Sequence, residues 1–540
     1  MLAVDTMWVD PAGSYSSLSY AARKLEASIR SAPDLTDVET TVIDLKTDEP
    51  EAFFERIKEA RPTLVACSMY IWSVGTFLEV ARRVKDWDPS IRVVLGGPAA
   101  RRSVLELAPY RPLLPYVDAV AVGEGEEVMR ALARDSSAAG LAKIPGLLLP
   151  HALGIRATAA AERPELDAYP SPYSLGIAPH GYTGFIETFR GCPISCAFCQ
   201  WGEQRSDRVY SREYLASHLR GLVEARVRNV FFTDAAFNLS ARAFRNLMDA
   251  EREVGALAKF EVHGHFYPTH VKEEHLEFLA LVGKAQVAIG VQSFDTEVLR
   301  KLGRPFDLVR FEKVLRELRG RIPIDVELIY GLPGDNPESF RRTVDKTMEL
   351  ADTVRIFYPM VLPDALLERT EEFGIRFDPE TFILTECNGW TERELREGWE
   401  ATVRATEGFE NRIVSPTWVG FMTPSAAKAA ALAGPRGVPL MAAEQLRALT
   451  STLGATVDGW SVSAARREND GLLLDLGSPR GAVVLEVRKL LEGAPSFRRR
   501  GGLAYSYRGS VDRATAGDLD RVIEAIHAAT AELLATGSDG

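Results

Sequence analysis

Residues 190–202 read RGCPISCAFCQWG and place Cys192, Cys196 and Cys199, three of the chain's five cysteines, within eight positions. Five cysteines in 540 residues are too few for a disulfide framework, so a tight cluster reads as metal or redox chemistry in a reducing compartment. A tetrahedral zinc site asks for four protein ligands, and no second CxxC or HxxxH pair lies nearby. Three thiolates suit a 4Fe-4S cluster with one iron left open. Cys67 and Cys387 stand alone and read as buried, inert thiols.

The elements around this loop form an alternating series. Strand patterns at 184–190, 229–234, 259–265, 286–292, 324–330 and 354–360 recur at spacings of 27 to 45 residues, with helical patterns between them. Six βα units over 184–375 predict a partial (β/α)6 TIM-type barrel, since a full one takes about 250 residues. The cysteines follow its first strand, in the kind of loop where barrels keep their chemistry. Period-2 alternation turns Phe260, Val262, Val287, Ile289 and Val291 outward to the helices. Glu261, His263, His265, Gln286, Gly290, Gln292, Asp325 and Glu327 then face the lumen, which predicts a cavity for a polar ligand. His263 and His265 on one side of a strand also admit a metal, although no inward cysteine accompanies them.

Residues 1–150 alternate five short β-branched runs with helices, which predicts a doubly wound parallel sheet, Rossmann-like and covered on both faces. Ligands of such sheets sit at the carboxyl ends of the strands. Those ends carry SMYIWSV (Ser68–Val74), LGGP (Leu95–Pro98) and GEGE (Gly123–Glu126), although a glycine pair after a strand is also the mark of a plain turn. The Pro-rich residues 151–183 read as a linker. Residues 376–540 read as an α+β domain that shapes substrate access, with a hairpin in LLLDLGSPRGAVVLEV and a terminal helix presenting Leu519, Val522, Ile523, Ile526 and Leu533.

CPISCAFC, with an aromatic residue before the third cysteine and six βα units behind it, resembles the radical S-adenosylmethionine (SAM) superfamily. The resemblance implies that Cys192, Cys196 and Cys199 hold the cluster and that its open iron chelates SAM, whose reductive cleavage gives a 5'-deoxyadenosyl radical. It implies that Phe198 packs near the adenine. Asp234, Asn238, His263, Gln292 and Glu327 become candidates for holding cofactor or substrate, the alternative for each being a satisfied polar residue that supports a loop.

With the doubly wound domain in front, the chain resembles the cobalamin-binding subgroup, which brings Ser68, Tyr70, Trp72, Gly96, Gly97, Gly123, Glu124, Gly125 and Glu126 into the cofactor set. Residues 1–150 contain no histidine, so no imidazole from that domain ligates the cobalt. Trp72 stands where subgroup members place a bulky residue and would exclude a lower ligand, its alternative being ordinary core.

The resemblance implies a methyltransferase that uses cobalamin and SAM to methylate an unactivated carbon of a small natural-product precursor, free or carrier- or peptide-bound. Cyclisation or rearrangement without methyl transfer is the second reading, and a non-catalytic carrier or sensor the third. An external donor such as flavodoxin or ferredoxin would supply electrons. Net charge is -11 with no long Lys/Arg run, which argues against nucleic acid or anionic membrane as partner. No secretory signal or apolar run near the roughly 18 residues of a membrane helix is seen, so a cytoplasmic protein is expected.

Overall fold

The computed structural model describes residues 18–410 except 46–48, 152–153, 204–207, 319–321, 323 and 352, together with the strands Leu2–Asp5, Val419–Met422, Ser461–Glu468, Gly471–Ser478, Gly481–Lys489, Arg499–Arg500 and Leu503–Arg508. These fall into two compact units. The first holds Leu2–Asp5, residues 18–351 and 359–395; the second holds residues 353–358 and the described elements beyond 396.

In the first unit, β1 (Leu2–Asp5), β2 (Val42–Leu45), β3 (Leu64–Ser68), β4 (Arg92–Gly96) and β5 (Ala119–Ala121) are the five expected parallel strands, in the order β2-β1-β3-β4-β5. Alternation along them explains the double winding. Val65, Cys67, Val93, Leu95 and Val120 pack on Phe53, Ile57, Phe77 and Val84 of the helices Pro50–Ala60 and Val74–Trp87. Ala66, Val94 and Ala119 pack the other way, on Ala22, Ile29, Val128 and Leu132 of Tyr20–Arg30 and Glu126–Arg134. Each large side chain so buried contributes about 1.5–3 kcal/mol.

The same sheet continues through β6 (Leu147–His151) and β7 (Gly154–Ala157), an antiparallel hairpin where the sequence suggested the start of a linker. Pro150 hid it, but β5 pairs with β6 only at Leu147 and Leu148, so the N–H that this proline lacks costs the β5–β6 ladder no bond.

The barrel strands are β8 (Gly184–Ile186), then β11 (Asn229–Phe232), β12 (Glu261–Phe266), β13 (Lys284–Gln292) and β14 (Ile324–Ile329), each parallel to the next, after a short ribbon of β9 (Phe189–Arg190) and β10 (Arg208–Val209). Phe232 and Phe266 lie on the helix-covered face, in a ring cluster with Phe237, Phe244 and Phe278. The sixth expected strand, β15 (Thr353–Phe357), lies in the second unit, parallel to Val419–Met422.

The predicted hairpin forms in the second unit, with Gly471–Ser478 antiparallel to Gly481–Lys489. The expected terminal helix at 519–533 lies outside the described residues. Residues 376–395, read as the start of the last domain, belong to the first unit: Phe382 is buried among the residues under the first sheet and Glu380 accepts from Tyr110 at 3.0 Å.

Candidate functional site

The cysteine loop is closed by its own backbone and by a second loop. Cys199 N–H donates to Cys196 O at 3.1 Å, and Ala197 N–H to Leu302 O at 2.8 Å. The chains approach so closely that a Cβ on Gly303, where φ is +69°, would lie 2.8 Å from Ser195 O. Beside this contact Arg304 Nη1 points at Cys196 Sγ, 3.7 Å away. Cys192 and Cys196 are buried and Cys199 is half-buried. Burial pushes the Cys199 thiol up to about 11 and raises that of Cys192, so ionisation of these thiols is left to a bound metal.

Among the described residues no three His, Cys, Asp or Glu side chains converge on a point that would hold one ion. Cys67 and Cys387 are buried, with thiols pushed up to about 12 by burial, and fit the inert role expected of them.

The inward face of β12–β14 is polar and internally paired. His265 Nε2 lies 3.3 Å from Glu327 Oε1, and Gln286 Nε2 donates to Asp325 Oδ2 at 2.8 Å. Phe231 meets the His265 ring edge-on at 6.0 Å between centroids. His263 is buried with its Nε2 at 3.5 Å from Glu261 Oε1.

At the mouth, β13 ends in a bulge that gives Gln292 a φ of +71°. Arg304 bonds Gly290 O and stacks over Tyr267 at 4.9 Å. Gln292 Oε1 and Arg304 Nε are buried without a hydrogen-bond partner, the guanidinium of Arg304 lying beside the thiol of Cys196. Buried polar atoms left so are costly in the bare chain, and a polar ligand would satisfy them.

Two other candidates act on the backbone. Asp234 Oδ1 accepts from Thr188 N, Thr188 Oγ1 and Phe189 N at 2.9–3.0 Å, which holds the strand end before the cysteine loop. Burial lifts its carboxyl to about 7, and Oδ2 is without a partner. Asn238 clamps Tyr267 reciprocally, at 2.8 and 2.9 Å, and so supports a loop. Phe198 is buried within the cysteine loop.

At the carboxyl ends of the first sheet, the Tyr70 and Trp72 rings stack in parallel, 4.8 Å apart and 4° from coplanar, with Ser68 half-buried at the end of β3. Gly96 ends β4, and Gly97, with φ +95°, allows the Met69 backbone to approach: a Cβ there would lie 2.7 Å from Met69 O. Gly125 precedes the helix Glu126–Arg134 and faces Leu25, whereas a Cβ on Gly123 would meet open space.

The carboxylates of GEGE are committed elsewhere. Arg190, two positions before Cys192, donates to Glu124 Oε2 at 2.9 Å and Glu126 Oε1 at 2.5 Å, and Arg208 pairs with Glu124. Sequence reasoning missed Arg190, Arg304, Glu187 and Lys24. "GR" ahead of Pro305 was the one local signal for Arg304; the other three carry none.

Residues 186–347 match the model of the radical SAM superfamily, and residues 19–133 match that of a B12 binding domain. The chain thus carries a radical SAM domain behind a B12-binding domain. The chain is 30% identical to the 2-(S-pantetheinyl)-carbapenam-3-carboxylate methyltransferase of Streptantibioticus cattleyicolor over 60% of its own length and 51% of that protein's. It is 29% identical to the cobalamin-dependent radical SAM methyltransferase TokK of Streptomyces tokunonensis, over 59% and 50%. It thus spans about half the length of the curated relatives it matches.

Among solved structures, the radical SAM methyltransferase TsrM of Kitasatospora setae, with tryptophan and a SAM analogue bound, shares its fold at a TM-score of 0.58 and 20% identity, covering 78% of this chain and 91% of TsrM.

The two domains imply a 4Fe-4S cluster, SAM and cobalamin as cofactors. The residues present fit them: three thiols for the cluster, partnerless Gln292 Oε1 and Arg304 Nε at the end of β13 and in the loop beside Cys196 for a polar ligand, and a flat aromatic pair with open space at Gly123 along the first sheet.

Proposed function

We propose that the protein is a cobalamin-dependent radical SAM C-methyltransferase that acts on a small natural-product precursor. The observation that carries this reading is the cysteine loop joined on one side to the mouth of a polar lumen and on the other to the carboxyl-end loops of the first sheet. When bound, the cluster supplies one-electron reduction of SAM and cobalamin supplies the transferable methyl group.

The chain's own residues position and shield. Cys192, Cys196 and Cys199 ligate the cluster, with Phe198 packed in the same loop. Arg304 and Gln292 offer a donor and an acceptor to the bound SAM. His265, Glu327, Gln286 and Asp325 line the lumen and orient substrate, while Asp234 and Asn238 hold the loops around it. Ser68, Tyr70, Trp72, Gly96, Gly97 and Gly123 would receive cobalamin, with the Trp72 ring shielding it from water. This arrangement acts through orientation and exclusion of water.

The pantetheinyl group in the name of the carbapenam relative supports a carrier-like handle on the substrate. Net charge -11 with no long Lys/Arg run argues against nucleic acid as the main partner, and an external donor such as flavodoxin or ferredoxin supplies reducing equivalents in the cytoplasm. Among the described residues no helix is long and apolar enough to cross a membrane.

A second reading, cyclisation or rearrangement, has one observation behind it: 26% identity to the anaerobic magnesium-protoporphyrin IX monomethyl ester cyclase of Cereibacter sphaeroides over 56% of this chain. Anaerobic turnover with candidate precursors separates the two. Methyl transfer gives S-adenosylhomocysteine together with 5'-deoxyadenosine, whereas 5'-deoxyadenosine alone with a converted substrate overturns the proposal.

A further inference from the structure

The cysteine loop is gripped at both ends by the first sheet. Before Cys192, Arg190 sends its two Nη groups to Glu124 and Glu126, at 2.9 and 2.5 Å, and its Nε to Glu187 Oε1 at 2.9 Å. After Cys199, Gln200 Nε2 donates to Pro98 O at 3.1 Å. Pro98 follows β4, and Glu124 and Glu126 follow β5, its parallel neighbour. The two loops that bracket the cysteines are therefore carboxyl-end loops of the cobalamin-type sheet, at the edge where such sheets bind their ligands.

The grip on the Arg190 side is ionic and largely buried. Glu187 also accepts from Lys24 Nζ and Tyr210 Oη, both at 2.7 Å, and Arg208 pairs with Glu124. Lys24, Arg190 and Arg208 balance Glu124, Glu126 and Glu187, so no charge is left over. Lys24 comes from a first-sheet helix, while Glu187, Arg190 and Arg208 come from the barrel side of the cysteine loop.

Desolvating six charges is expensive, and apolar side chains of similar size hold two surfaces together as well or better. A multidentate network adds something different, a single arrangement in which every donor meets its acceptor. Transfer between two bound groups needs that, because a misplacement of about 1 Å costs on the order of a hundredfold in rate.

We infer that Arg190 and Gln200 are positioning residues that fix the separation of the cluster from cobalamin by tying the cysteine loop to the two carboxyl-end loops of the first sheet. The inference rests on the two-cofactor reading proposed above.

The test is electron paramagnetic resonance of the full holoenzyme carrying cob(II)alamin and a dithionite-reduced cluster. The dipolar interaction between the two centres falls with the inverse cube of their distance. The wild type should show one defined interaction. Arg190→Gln and Gln200→Ala, each with wild-type iron, sulfide and cobalamin content, should show it weakened or spread, more so for Arg190→Gln; Arg190→Lys should fall between.

An unchanged interaction in the loaded variants overturns the inference, and Gln200→Ala, which leaves the ionic network whole, decides alone if Arg190→Gln loses its cluster. A wild type that loads both groups without any interaction defeats the two-cofactor reading and the inference with it; an interaction present but unmoved defeats the inference only.

Discussion

Burial raises the thiols of Cys192 and Cys199 in the bare chain, so they gain their thiolate character from bound metal. Changing any one to Ala is expected to abolish reductive SAM cleavage and lower bound iron while cobalamin uptake persists; retained cleavage in all three variants ends the cluster assignment. Arg304 brings a positive N–H to 3.7 Å from Cys196 Sγ. Hydrogen bonds and positive charge at cluster sulfurs favour the reduced state. Arg304→Leu should therefore shift the cluster midpoint to more negative potential in a redox titration, and an unmoved midpoint shows that Arg304 serves only the loop. At Trp72, Ala substitution should change the absorption spectrum of bound cobalamin; an unchanged spectrum and affinity make the ring ordinary packing.

At the scale of elements, the helix Arg212–Glu224 buries His218 against β8, where Nε2 meets Phe185 O at 2.9 Å. A carbonyl only accepts, so Nε2 carries a proton. Burial lowers its pKa from 6.5 to about 4. The unfolded chain protonates near 6.5 and the folded one not until about 4, so this stability is present above 6.5 and lost as pH falls through that window. The loss approaches about 1.4 kcal/mol per pH unit. His218→Gln keeps an N–H for the carbonyl without titrating, and should flatten the decline of melting temperature across that window; an equally steep decline assigns it to other groups. Glu187 and Glu126, held low by Arg190 and Lys24 despite burial, withdraw their contribution only at still lower pH.

Across the whole molecule, the first sheet and the barrel strands β8–β14 lie in one compact unit, yet the three thiols and the aromatic pair Tyr70/Trp72 sit on different sheets. Loss of one cofactor should then spare the chemistry of the other. Cobalamin-free protein reconstituted with iron and sulfide is expected to cleave SAM to 5'-deoxyadenosine while forming no S-adenosylhomocysteine, as product chromatography would show. S-adenosylhomocysteine made without cobalamin would mean that the methyl group travels by another route.

The sequence by itself determined the local patterns. Alternating Val, Leu and Ile runs specified five parallel strands of the first sheet, and HGH and DVE placed His265, Asp325 and Glu327 on one face, because side-chain direction along a strand depends only on position. The spacing of Cys192, Cys196 and Cys199 likewise carried its chemistry within eight residues. Tertiary structure alone decided the partners. Glu124 and Glu126 look like ligand carboxylates in GEGE, but folding brings Arg190 to them from more than 60 positions away, and Arg304 reaches Cys196 across 108. Asn238, a cofactor or substrate candidate by the resemblance, is consumed by the backbone of Tyr267. Whether a polar side chain is spent on the protein or left for a ligand depends on which donors and acceptors long-range packing places beside it, and one-dimensional periodicity holds no information about that.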